Sequence, residues 1–197
     1  MLSRLLQPGL FGAEITDHGQ PTALHPEEAA LVAGAGEVRR RDFALGRFCA
    51  HAALMQLGQG EAVIGKAATG APSWPAGIMG SITHTKGYAA ALAARAGRFR
   101  AIGLDAERIG GVSEALFARL FTARERAALA VLAAGHRQRA ATLLFSAKEC
   151  LFKTGLAGTQ LSFQEIEVIL DEDGFAANGT RGRFATGDGL VLTVLAA

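Results

Sequence analysis

Asp105 and Glu107, in "AIGLDAE", stand two residues apart in a run where Ile102 and Leu104 alternate with Gly103 and Asp105. Residues two apart share a face of an extended strand, so the two carboxylates can converge. Paired acids repel unless a cation or a proton separates them. A hard divalent ion such as Mg²⁺ answers that need, because it takes oxygen ligands while keeping waters or phosphates. The plainer alternative is a strand end with two solvated acids. A second segment, "FSAKECLFK", puts Glu149 and Lys153 one helical turn apart. That spacing suits an ordinary surface ion pair, but charges embedded in so apolar a helix also line clefts. A third, "GSITHTKGYAAALAA", sets His84 between two threonines just before an apolar run. His84 is either a buried core residue or a strand-end group aimed at an anion. Arg40, Arg47 and His51 recur at helical spacing, and a solvated face is the simple account of that stripe.

Several elements must position these groups. Residues 25–58 read as helical, with Pro26, Glu27 and Glu28 suited to a first turn and Gly34 and Gly36 dividing the stretch. Phe43, Ala50, Leu54 and Leu57 form its core stripe, and Gly58 stops it. Residues 60–75 are loop-like. Sheet-like runs follow at 78–84, 88–94 and 99–105, with Gly87 and Gly97 at the turns. Ser113 caps a short helix, and Thr122 with Glu125 fits a capping box opening another. A longer helix covers about 136–154. The alternation in "EIEVILDEDG" predicts a half-buried strand, and two more strands follow among turns at 171–174, 178–179 and 187–189. Helix, sheet, helix, sheet is an α+β order in two halves, joined within 103–112.

Composition narrows the classes. The chain has 197 residues, 50% of them hydrophobic, which is enough for a sizeable core. Twenty basic residues against eighteen acidic ones, a formal charge of +2, argue against general nucleic-acid binding. Cys49 and Cys150 are the only cysteines. They suit a reducing cytoplasm rather than a disulfide scaffold. Pro8 and Gly9 interrupt the N-terminal apolar run, and no stretch is long enough for a membrane span.

Taken together, "GSITH", "IGLDAE" and "FSAKECLFK", in this order and at these separations, resemble the 4′-phosphopantetheinyl transferases. The surfactin-type branch is the closest match, and within it the enterobactin-synthase type. "GAPSWPAG" before the histidine motif and "RRRDFALGRFCAHAAL" before that strengthen the likeness, which runs from about residue 39 to 153. Thr83, Ala106 and Cys150 depart from the usual residues without removing a charged group.

The resemblance implies a pseudo-twofold pair of α/β halves, about 1–103 and 104–197, each a small antiparallel sheet on a long helix. It implies transfer of the phosphopantetheine arm of coenzyme A, the co-substrate, to a serine of an apo carrier protein (peptidyl, aryl or acyl), releasing 3′,5′-ADP. Siderophore or other secondary-metabolite synthesis is the implied setting, with a monomer sufficient. Asp105, Glu107 and Glu149 would hold Mg²⁺, and Glu149 could also accept the serine proton. Lys153 and Lys148 would contact phosphate, with Asp105, Glu149 and Lys153 central to catalysis. Arg47 and Arg40 would meet the 3′-phosphate, Gly70, Ala71 and Pro72 would shape the nucleotide pocket, and Ser81 and His84 would face coenzyme A phosphates. A Mg²⁺-dependent pyrophosphate or nucleotide hydrolase, or an inactive coenzyme A-binding module, would use the same residues. Weighing an apo carrier after incubation with coenzyme A separates these readings.

Overall fold

The computed structural model describes residues 1–19, 23–156 and 161–197. They form two compact units, Leu2–Arg100 and Ala101–Ala197, the latter joined by Met1.

The first unit contains β1 (Phe11–Thr16), α1 (Pro26–Ala30), α2 (Glu37–Met55), β2 (Gly65–Lys66), β3 (Pro72–Ser73), β4 (Ile78–Thr85) and β5 (Tyr88–Arg95). Its main sheet is antiparallel in the order β1-β5-β4, while β2 and β3 pair as a separate ribbon. β5 is mostly alanine, a poor strand former in isolation. It forms a strand because it is central and buried from Tyr88 to Ala94, with Ala89, Ala91 and Ala93 packed in one cluster with Leu45, Cys49, Ala50, Ala53 and Leu54 of α2. These small side chains let the helix lie close to the sheet. β1 was not expected from the sequence: "FGAEIT" lacks a clean alternation and is only half-buried.

The second unit contains β6 (Ile102–Arg108), α3 (Phe117–Leu120), α4 (Ala123–Ala130), α5 (Ala134–Lys153), β7 (Ile169–Leu170), β8 (Gly174–Ala177), β9 (Thr180–Gly187) and β10 (Leu190–Ala196). The antiparallel sheet order is β6-β10-β9-β8-β7. The strand expected at 99–105 lies three residues later, so Asp105 and Glu107 fall within it rather than at its end. The strand expected from 165 is reduced to Ile169–Leu170. Ile166 and Val168 are buried as the alternation demands, but the Val168 amide donates to the Glu125 carboxylate at 2.8 Å instead of to a neighbouring strand. α5 packs closely on β6. A Cβ built on Gly103 would lie 2.2 Å from the Cys150 carbonyl oxygen, so only glycine permits this approach. Among the described residues no helix is long and apolar enough to cross a membrane.

Candidate functional site

The acidic residues of the second unit meet where β6 faces α5. Period-2 geometry puts Gly103, Asp105 and Glu107 on one face of β6, and helical geometry brings Ser146, Glu149, Cys150 and Lys153 of α5 towards it. Asp105 is 3% exposed and tightly held. Its Oδ1 accepts from Lys153 Nζ at 2.7 Å, and its Oδ2 accepts from Ser146 Oγ at 2.8 Å. Ser146 Oγ also lies 2.9 Å from Thr193 Oγ1, and Thr193 is the cross-strand partner of Asp105 on β10. Lys153 Nζ donates a second bond to the Leu104 carbonyl at 3.1 Å.

Glu107 and Glu149 are the remaining acids. Burial, and then the Asp105 charge, pushes the Glu107 carboxyl up to about 7, with Lys153 opposing the shift. Glu149 is raised by the same two causes in the same order, again opposed by Lys153. Desolvated acids that repel one another form a hard oxygen donor set suited to a small divalent cation. No three acidic, histidine or cysteine side chains among the described residues already converge on one point as an ion site. Lys153 is the cation seated on Asp105.

In the first unit a cavity of about 280 Å³ is lined by Arg39, Phe43 and Arg47 of α2, Lys66, Gly70, Pro72 and His84, among others. Arg39, Phe43 and Arg47 recur every four residues and therefore share a face of α2. Arg47 is 3% exposed and stacks on Phe43 with 4.7 Å from Cζ to the ring centroid. Its Nη2 donates to the Gly65 carbonyl at 2.9 Å, while its buried Nε and Nη1 have no hydrogen-bond partner within the protein. Burial depresses its pKa. Arg39 Nη1 lies 3.0 Å from His84 Nε2, and Asp42 Oδ2 lies 3.8 Å from His84 Nδ1. Gly70, at φ +87°, makes the turn joining β2 to β3. Unpartnered buried N–H groups beside two further cations describe a receptor for an anion.

The structure rearranges several sequence expectations. Lys148, expected to contact phosphate, is wholly buried and fully occupied: its ammonium donates to Glu125 Oε2 at 2.6 Å, Phe163 O at 2.7 Å and Leu120 O at 2.9 Å. Three acceptors satisfy three donors, so nothing remains for a ligand. Arg40 is exposed and does not line the cavity; its neighbour Arg39 does, one position round the helix. Ser81 and His84 are three apart on β4, so they face opposite sides of the sheet, and His84 but not Ser81 lines the cavity. Gly70 and Pro72 line it, whereas Ala71 turns its carbonyl back to the Ala67 amide at 2.8 Å. Arg39 and Lys66 were missed. The four-residue spacing through Phe43 to Arg47 could have revealed Arg39, while Lys66 carries no comparable signal.

Comparison with known proteins identifies the family. The model of the 4′-phosphopantetheinyl transferase N-terminal domain matches residues 27–94, and that of the 4′-phosphopantetheinyl transferase superfamily matches residues 101–190. The chain is similar to 4′-phosphopantetheinyl transferase Npt of Nocardia iowensis, with 36% identity over 223 residues, 100% of this chain and 99% of that protein. It is similar to 4′-phosphopantetheinyl transferase Svp of Streptomyces mobaraensis, with 40% identity over 195 residues, 88% of this chain and 78% of that protein. It is also similar to enterobactin synthase component D of Escherichia coli K12, with 34% identity over 137 residues, 68% of this chain and 64% of that protein. The chain belongs to the 4′-phosphopantetheinyl transferase superfamily. It is accordingly a transferase, from a family that takes its phosphopantetheine arm from coenzyme A and delivers it to carrier proteins.

Proposed function

We propose that the cavity of the first unit and the acidic face of the second each serve coenzyme A. The Arg39, Arg47, Lys66 and His84 cavity takes the phosphorylated adenosine end, with Arg47 on the 3′-phosphate. Asp105, Glu107 and Glu149 hold Mg²⁺, and Lys153 serves the pyrophosphate. The observation that carries this reading is the buried Arg47 guanidinium with two unpartnered N–H donors.

Bound there, Mg²⁺ would polarise the phosphoryl oxygens and neutralise charge on the leaving group. The carrier serine oxygen forms a bond to the β-phosphorus, the bond from that phosphorus to the bridging oxygen breaks, and 3′,5′-ADP leaves. Ser146 and Thr193 fix Asp105 in place. Lys153, already at Asp105, places a cation where negative charge develops, and preorganised charge of this kind is a large part of phosphoryl-transfer catalysis. Glu149 supplies a ligand and an acceptor for the serine proton, directly or through water. Siderophore or other secondary-metabolite synthases in the cytoplasm supply the carrier, a setting supported by the likeness to an enterobactin synthase component and by two buried free cysteines.

The test uses apo peptidyl, aryl and acyl carrier domains with coenzyme A, with and without Mg²⁺. Carrier mass should rise by one phosphopantetheine only with the ion present. Undiminished transfer in a chelator would overturn the metal assignment, and equal rates on all carriers would remove the secondary-metabolite assignment.

A further inference from the structure

His51 shares the α2 stripe with Arg47, yet it does not line the cavity. It belongs to a different arrangement. Glu28, in α1, is 0% exposed. Its carboxylate meets His51 Nε2 at 2.9 Å from Oε1 and 3.1 Å from Oε2, and Oε1 accepts from the Ile64 amide at 2.9 Å. His51 Nδ1 lies 3.1 Å from the Gly60 carbonyl oxygen. Both ring nitrogens are thus engaged, Nδ1 by a backbone carbonyl and Nε2 by the Glu28 carboxyl group. Glu28 and His51 therefore pin the backbone at Gly60 and at Ile64. The carbonyl of the following residue, Gly65, receives Arg47 Nη2. Of the five guanidinium donors, the one bonded to Gly65, with the Phe43 ring beneath, determines where the unpartnered Nε and Nη1 point.

We propose that Glu28 and His51 are positioning residues for anion capture: a buried bracket that fixes the 60–65 segment, and through the Gly65 carbonyl aims the Arg47 guanidinium at the 3′-phosphate of coenzyme A. This rests on the reading of the cavity given above. Burying polar groups such as these is costly unless they are hydrogen-bonded. The side-chain hydrogen bonds of the pair run to each other and to the 60–65 segment, and the Glu28 charge, favouring the charged form of Arg47, adds a second link between the bracket and the guanidinium. Arg47 in turn has few ways to move, since it is 3% exposed and lies against Phe43. A small displacement of the Gly65 carbonyl would therefore turn the guanidinium away from its ligand without emptying the pocket.

The experiment is a double-mutant cycle on the full chain, with KM and kcat measured for coenzyme A and for dephospho-coenzyme A. His51→Gln should raise the KM for coenzyme A about tenfold, the worth of one misdirected charge-assisted contact, while kcat and the KM for dephospho-coenzyme A change less than twofold. In an Arg47→Ala background the same substitution should add nothing. Should His51→Gln fold poorly, Glu28→Gln with His51→Gln replaces the carboxyl–imidazole contact by an amide pair and should give the same KM split. A purely structural pin would lower the melting temperature without that split, and this result overturns the proposal. So does an additive loss in the Arg47→Ala background. If Arg47→Ala itself leaves the KM for both nucleotides unchanged, the cavity reading fails, and the bracket's role fails with it.

Discussion

Lys153 Nζ stands 2.7 Å from Asp105 Oδ1, so the lysine whose spacing from Glu149 would also suit a pair along its own helix reaches across to the neighbouring strand. Asp105 is thereby given a counterion, beside two further acids whose protons it helps to retain. Lys153→Met should lower turnover by at least about 10²-fold, the scale of one lost electrostatic stabiliser. It should also lower stability by about 1–2 kcal/mol, less than for a fully buried pair because the Lys153 side chain is 30% exposed. Glu149→Gln should lower turnover comparably and leave stability near that of the parent. Carrier-loading rates and denaturant melts check both; near-parental rates in both variants would reduce this face to ordinary packing.

The helical register of α2 separates two adjacent arginines. Both are exposed, but Arg39 lines the cavity and reaches His84, while Arg40 does not line it. Arg39→Ala should raise the KM for coenzyme A about tenfold, and Arg40→Ala should change it less than twofold. The reverse order would mean that α2 presents a different face to the nucleotide.

Lys148 is a structural cation. Lys148→Met strands the Glu125 carboxylate, which is 4% exposed, and should cost about 3–5 kcal/mol. Lys148→Met combined with Glu125→Gln should recover part of that loss, since the unpaired charge is gone. Chemical denaturation of the two proteins decides the matter. A Lys148→Met protein of full stability but raised KM for coenzyme A would return this lysine to the phosphate site.

Burial, reinforced by the Glu14 charge, pushes the Cys49 thiol up to about 12. Its proton is retained in the folded chain over a range where the unfolded chain releases it, above about 8.5. The sign follows: the contribution is complete below pH 8.5 and is lost as pH rises towards 12, at up to about 1.4 kcal/mol per pH unit. Cys49→Ala should flatten the fall in stability over this alkaline range. Identical slopes for the two proteins would show that other groups govern it.

The sequence disclosed local features better than shared ones. The Thr122–Glu125 capping box is present, because its signal lies within four consecutive residues. That Glu125 also holds Lys148 and the Val168 amide depends on residues far apart in the chain, which no local pattern encodes. The pairing of Asp105 with Glu107 on one face followed from period 2 alone. The Arg39 and Arg40 exchange reflects two competing helical spacings: seven residues put Arg40 within about 20° of the Arg47 stripe and two steps of four put Arg39 about 80° round, and only the position of the cavity beside α2 chooses between them. Strand β5 was legible despite its alanines because glycine turns bounded it, whereas β1, though Pro8 and Gly9 precede it and Asp17 and Gly19 follow it, had no strong alternation.

Gly103 carries a consequence for mutational screens. Any side chain there would strike the Cys150 carbonyl and force α5 away from β6, and with it Ser146 and Lys153 away from Asp105. Substitutions at this position would then score among the most damaging to activity in a saturation library, although the residue has no functional group to contribute. Damage maps of this half of the chain consequently trace two patterns at once, the charged side chains at the acidic face and the backbone hydrogen atom that lets them meet.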